Sequence, residues 1–192
     1  MSEGEFHVHG PHDHELEHAA QGGHGDRFAG TIAVMTAILA TIGALFSYMG
    51  GATQANAGLF KNNAAIKKTE ASDQWNYYQA KSNKQNLAEL AVILVADEKK
   101  AQYQQEAERY RKEKAEIKVG ADKLEAESKD WDDQSEAQMH QHHRWAQATT
   151  ALQISIALAA MALLTRRKWL EWGMYGVASV GVVVGVLAMA HI

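Results

Sequence analysis

Apolar residues in this chain gather in three blocks, and the charged residues fill the stretch between the first block and the second. Residues 28–50 (FAGTIAVMTAILATIGALFSYMG) contain no charge over 23 positions. Residues 146–165 give 20 more uncharged positions, and residues 173–190 give 18. At ~1.5 Å rise per residue, about 20 helical residues cross a hydrocarbon core of about 30 Å. One such run could be a buried core helix, but the rest of this chain is too small to cover three. The pattern therefore predicts an all-α membrane protein with three transmembrane helices. The first block lacks the basic lead of a cleaved signal, since six acids and one arginine precede it. It is expected to stay as an anchor.

Flanking residues fit that division. Arg27 opens the first block, Trp145 precedes the second, and Trp169 and Trp172 lead into the third. Aromatic rings and basic side chains favour the headgroup level. The link Arg166-Arg167-Lys168 is too short for anything but a tight turn, so the second and third spans should form a transmembrane hairpin. Gly181 and Gly185 make a GxxxG step, and Ala33, Ala37, Ala40, Gly43 and Ala44 supply small residues on the first span. Small residues allow close helix approach, within one chain or between chains. No Asp, Glu, Lys, Arg or His lies inside a span, which argues against an ion-coupled transporter. Gln153 is the one strongly polar side chain at depth and is expected to bridge helices.

Residues 52–144 hold 15 basic and 16 acidic residues, no proline, and glycine only at Gly58 and Gly120. This is the composition of long solvated helices or coiled coil. Tyr103, Tyr110, Ile117, Leu124 and Trp131 recur every seventh residue, each followed four positions later by Ala107, Lys114, Ala121, Ser128 or Ser135. That large-and-small seam is the mark of closely packed helices. In the first half, Leu59, Ile66, Asp73, Ala80, Leu87 and Leu94 share the same spacing and are read as the facing seam. A single straight helix of ~85 residues would run about 125 Å away and could not return to the membrane. The stretch must double back as an antiparallel coiled-coil hairpin. Residues 96–99 are the favoured turn, with Asp97 as N-cap of the returning helix. Gly120 is the alternative, but it leaves unequal arms. With the turn near Asp97, the apolar run at residues 90–95 sits at the tip and suggests a contact there with a sister chain or another protein. The expected divisions are a tail at 1–27, spans at 28–50, 146–165 and 169–190, and the helical hairpin at 51–145.

Composition narrows the chemistry. The net charge of −4 speaks against a nucleic-acid binder held by bulk charge. Zero cysteines exclude disulfides, thiolate metal sites and cysteine nucleophiles. Six of the ten histidines lie in the tail, among them His7, His9, His12 and His14. Imidazoles at such spacing would chelate Zn, Ni or Cu, although flexible tails often do so adventitiously. His140, His142 and His143 stand beside Arg144 at the membrane edge and in an oligomer would form rings suited to a metal ion or to anionic lipid headgroups. No other cofactor is implied. There is no glycine-rich phosphate loop and no nucleophile-base constellation, so no enzyme is expected.

The most distinctive run is Asp73-Gln74-Trp75-Asn76-Tyr77-Tyr78-Gln79-Ala80-Lys81. Asp73 and Tyr77, Gln74 and Tyr78, and Trp75 and Gln79 are i,i+4 neighbours on a helix. Packing against the returning helix is the ordinary reading of such a motif; a binding surface for lipid, peptidoglycan or a partner is the sharper one. With the run ASDQWxYYQAKS, the long insert after a first span and the basic TRRK turn, the chain resembles the bacterial family catalogued as domain of unknown function 4337. The resemblance covers nearly the whole chain. It implies a bacterial membrane protein with a helical insert and carries no catalytic residues.

The short basic turn at Arg166-Arg167-Lys168 should be cytoplasmic. That puts the N-terminus in the cytoplasm and the hairpin in the periplasm, across the bacterial inner membrane. Lys61, Lys67 and Lys68 argue the other way, but charges in long loops weigh less. The leading expectation is a self-associating, non-enzymatic scaffold that meets lipid, its own copies and a partner at the tip. An oligomeric channel or pore and metal binding by the tail are the alternatives.

Overall fold

The computed structural model of the chain describes residues 27–190. Among these there are three helices and no strand: α1 (Arg27–Leu94), α2 (Asp97–Thr165) and α3 (Lys168–Met189). With no proline in these residues, nothing removes a helical N–H or clashes with the preceding turn. Threonine hydroxyls that would otherwise hang free on the apolar faces bond to their own helix. Thr36 donates to the carbonyl of Ile32 at 2.8 Å and Thr41 to that of Ala37 at 2.9 Å.

Val95 and Ala96 break the helix between α1 and α2, so the favoured turn site is the one used. Gly120 lies inside α2. Asp97 is not the cap. It is the first residue of α2, where its carboxylate meets Lys100 at 2.6 Å, and the backbone of Ala96 accepts the first turn bond from Lys99. Arg166 and Arg167 link α2 to α3, with Arg166 in the left-handed region at φ 55° and Arg167 extended ahead of the first turn of α3.

Contacts divide the residues into two units, a polar one at 51–142 and an apolar one formed by 27–50 with 143–190. In the polar unit α1 lies against α2 in opposite senses. Ser128 donates to the carbonyl of Ala64 and Ser135 to that of Ala57, both at 2.9 Å, while Phe60 tilts against Trp131 with ring centroids 5.5 Å apart. The α2 seam is the expected one. Ala107, Ala121, Ser128 and Ser135 are buried, and Tyr103, Tyr110, Ile117, Leu124 and Trp131 are half-buried beside them.

The α1 seam differs from expectation by one residue. Leu59, Ile66, Asp73, Ala80, Leu87 and Leu94 are all exposed. The line that faces α2 is Phe60, Lys67, Gln74, Lys81 and Ala88, interleaved with Ala57, Ala64, Ala71, Tyr78 and Gln85. The reason is steric. Alanine at 57, 64 and 71 lets the two backbones approach closely enough for serine hydroxyls of α2 to reach carbonyls of α1, which bulkier leucine would prevent.

The apolar unit has one core, drawn from Ile32, Leu39 and Phe46 of α1, Trp145, Leu152 and Ala159 of α2, and Leu170, Met174 and Ala178 of α3, with smaller residues between. Trp145 is fully buried against Phe46 at 5.2 Å between centroids, so it is a core residue and not an interface marker. Trp169 and Trp172 are exposed, as interface residues should be. Ala33, Ala37, Ala40 and Ala44 face outward, and of the small residues expected to pack on this helix only Gly43 is buried. Each helix contains a stretch long and apolar enough to cross a membrane.

Candidate functional site

The aromatic-amide run sits on α1 in the polar unit, and the helix splits it between two faces. Gln74, Trp75, Tyr78 and Lys81 are half-buried; Asp73, Tyr77 and Gln79 are exposed. Ala71, one turn before, is fully buried and brings the backbones together. Lys81 then reaches across to α2, where its Nζ donates to Glu113 Oε2 at 2.5 Å. The same ammonium lies 5.1 Å from the ring centroid of Tyr77 and 5.6 Å from that of Tyr110. Lys114 of α2 returns the contact by sitting 5.3 Å from the Tyr78 ring, and Tyr78 meets Trp75 edge-on at 5.5 Å. A cation over an aromatic face is attracted by the ring quadrupole, by about 0.5–1 kcal/mol at exposed sites. The motif is thus a clasp between the helices on one side and a free polar surface on the other.

Its electrostatics follow from these partners. The hydrogen bond to Glu113, with the Tyr77 hydroxyl next, holds the Lys81 ammonium above its ordinary range. Glu113 is held below the usual carboxylate range, chiefly by Lys81. The arrangement recurs along the pair: Lys61 bonds to Asp132, Lys68 to Glu125 at 3.3 Å, and Lys67 approaches Glu127 at 3.5 Å. Lys61 is raised by its bond to Asp132, and Lys67 by its bond to Glu70. Nearer the turn the signs reverse, with Glu89 on α1 facing Arg111 on α2 at 3.6 Å. Exposed pairs each contribute about 0–1 kcal/mol. Their larger effect is on register, because a slip would bring like charges together. Sequence reasoning missed Glu113, Tyr110 and Glu127 as partners. The signal was present, as cations on one arm mirrored by anions on the other.

Other expected sites fare differently. Gly181 and Gly185 are both buried contact points of α3. A Cβ on Gly181 would stand 3.1 Å from Leu152 and 3.2 Å from the carbonyl of Ala148, and one on Gly185 would stand 2.2 Å from the Phe46 ring. Both glycines therefore serve contacts within this chain. Gln153 is exposed, its amide nitrogen lying 3.8 Å from where a Cβ on Gly43 would stand. His140 and His143 are exposed and His142 is half-buried. Among the described residues no three His, Asp or Glu side chains are gathered to hold a metal ion. His7, His9, His12 and His14 lie outside the described residues. A shallow depression between α1 and α2 is lined by Lys61, Ala64, Lys68, Glu125, Ser128 and Asp132, residues already engaged in the helix contact.

The chemistry on display is helix packing and charge pairing, carried, among the described residues, by three helices that are each long and apolar enough to hold a membrane span. The chain belongs to the family described as Domain of unknown function (DUF4337), whose model matches residues 28–191. No curated protein matches it. No solved structure matches it either.

Proposed function

We propose that the protein is a multi-pass, non-enzymatic scaffold of the bacterial inner membrane, which self-associates and displays an antiparallel coiled-coil hairpin to its surroundings. The observation that carries the reading is where the apolar side chains of the candidate spans point. Only 17% of the apolar window of α1, and 28% of those of α2 and α3, is buried within the chain. Leu45, Leu164, Trp172, Val180 and Val183 all stand out from it. Water would leave that surface unpaid for, at roughly 25 cal/mol per Å²; hydrocarbon would not. The interior sets alanine and glycine, such as Ala148, Ala178, Gly181 and Gly185, between its larger side chains, as close packing of helices in lipid favours.

We read the turn at Arg166, Arg167 and Lys168 as cytoplasmic, which the excess of Lys and Arg in cytoplasmic loops supports, and the polar unit as periplasmic. The polar unit supports a display role through its clasp of α1 on α2 and through the exposed apolar residues Leu90, Ile93 and Leu94 beside its turn.

Alkaline carbonate washing of membranes, followed by mass measurement of the detergent-solubilised particle, tests the reading. The chain should stay with the membrane, and the particle should contain more than one copy. Release by carbonate would overturn membrane insertion; a monomeric particle would overturn self-association. An alkaline phosphatase fusion at Asp97 should be active, and an inactive fusion would reverse the orientation.

A further inference from the structure

The line of residues that fails to face α2 has a regularity of its own. Leu59, Ile66, Ala80, Leu87 and Leu94 recur at multiples of seven on the outward face of α1. Leu59 is 56% exposed, Leu87 65% and Leu94 74%. Adding the residues that alternate with them at steps of four and three gives twelve positions from Ala55 to Leu94, all exposed, of which one, Asp73, is charged. The equally spaced twelve on α2, from Ala101 to His140, are also all exposed and carry six charges. A solvated helix face in so charged a unit should resemble the second set. Charges of α1 are instead drawn to the flanks of the in-chain seam, where Lys61, Lys67, Lys68, Lys81 and Glu89 meet α2.

We propose that this outward stripe of α1 is a second seam, and that a second copy of this chain occupies it, α1 against α1. The inference rests on the self-association proposed above and names the surface that performs it. Three features select a sister chain. First, the stripe keeps the seven-residue period of the in-chain seam, so a supercoiled helix can serve both, on faces roughly 155° apart around its axis. Second, a two-fold contact must be self-complementary. A stripe almost without charge meets itself without repulsion, and Asn62, Asn76 and Asn83 each offer a donor and an acceptor to their counterparts. Third, α2 offers no such surface, which leaves α1 as the helix to be paired. From Leu59 to Leu94 the stripe is about 52 Å long and one helix diameter of about 10–12 Å wide. That is roughly 500–600 Å² per copy in projection, so the two faces together approach the lower end of specific interfaces, about 1,200 Å².

Two chains anchored in one membrane lie parallel, so each stripe residue meets its own counterpart. Asp73 then faces Asp73, the one unfavourable layer. The chain has no cysteine, so single cysteines report the contact without background. Membranes carrying Leu59→Cys, Ile66→Cys, Ala80→Cys or Leu87→Cys would be treated with a short bis-maleimide. Each should give a cross-linked dimer, whereas Lys112→Cys and Ala126→Cys on the outward face of α2 should not. Asp73→Asn in the Leu87→Cys background should raise association about twofold, the scale of one exposed like-charge pair. Dimers at the α2 positions with none at the α1 positions would overturn the inference, as would a fall in dimer with Asp73→Asn. If the α1 positions fail while the solubilised particle is still multimeric, this surface is wrong and self-association stands. A monomeric particle removes both.

Discussion

Gly185 is held to its identity by a single ring. Phe46 fills the space a side chain would need, and Phe46 cannot withdraw because it is buried against Trp145. Gly185→Ala should therefore destabilise the apolar unit by about 1–3 kcal/mol, the usual cost of overpacking. Gly176→Ala should instead stabilise by about 0.5–1 kcal/mol, since nothing lies within 4 Å of its position and alanine is the better residue inside a helix. Denaturation midpoints of the two variants in the same detergent make the comparison. The Lys81–Glu113 pair gives a pH dependence of known sign. The lowered Glu113 supports the folded state above its ordinary value of 4.5 and loses that support as pH falls through the lowered value. The raised Lys81 supports it below 10.5 and loses that support as pH rises through the raised value. Thermal stability should be flat between these limits and fall outside both. In Glu113→Gln the falls should be shallower and the plateau lower.

At the scale of the element, the seam of α2 was legible in the sequence and that of α1 was not, for a physical reason. The seam of α2 is built from Tyr103, Tyr110, Ile117, Leu124 and Trp131, large residues that announce themselves. The seam of α1 is built from alanines and from long polar side chains that bury their stems, as Lys67 and Lys81 do, while its larger aliphatics face outward. A reading weighted by hydrophobicity takes the outward line for the inward one. The motif around Trp75 was recognised, but its partners on α2 follow only once the register is known. Trp145 was misjudged because its place at the end of an apolar block is also where interface residues stand. The link between α2 and α3 carries its own test. Arg166 occupies a left-handed conformation that costs a residue with a side chain roughly 1–2 kcal/mol. Arg166→Gly removes that strain and adds about 0.4–1 kcal/mol of unfolded-state freedom, so it should stabilise modestly. A rise in the denaturation midpoint of the apolar unit checks it.

For the molecule as a whole, the blocks seen in the sequence become two units with opposite rules of construction. In the polar unit, size lies partly outward and charge lies along the helix contact. In the apolar unit, aliphatic side chains and two large rings interleaved with small residues make the interior, and the outer surface is largely aliphatic as well. What the letters conveyed was the helical class, the three long apolar stretches and the break near residue 96, because these depend on local composition. Which face meets which depends on distances between residues some 60–80 positions apart, such as Ala64 and Ser128 or Ala57 and Ser135, and no local pattern encodes those.

The pairing of Lys61 with Asp132, Phe60 with Trp131 and Lys68 with Glu125 has one more consequence. Both arms are ruled in sevens, so their length is quantised. Excising residues 61–67 together with 125–131 shortens the rods by about 10 Å and keeps the register, with Lys68 taking the place of Lys61 beside Asp132 and Leu124 that of Trp131 beside Phe60. Excising five residues from each arm instead turns everything beyond the cut by about 140°. Circular dichroism melts should show the first shortened protein folding cooperatively and the second losing its transition. The reach of the rods is a dimension adjustable only in whole steps, and only in both arms at once.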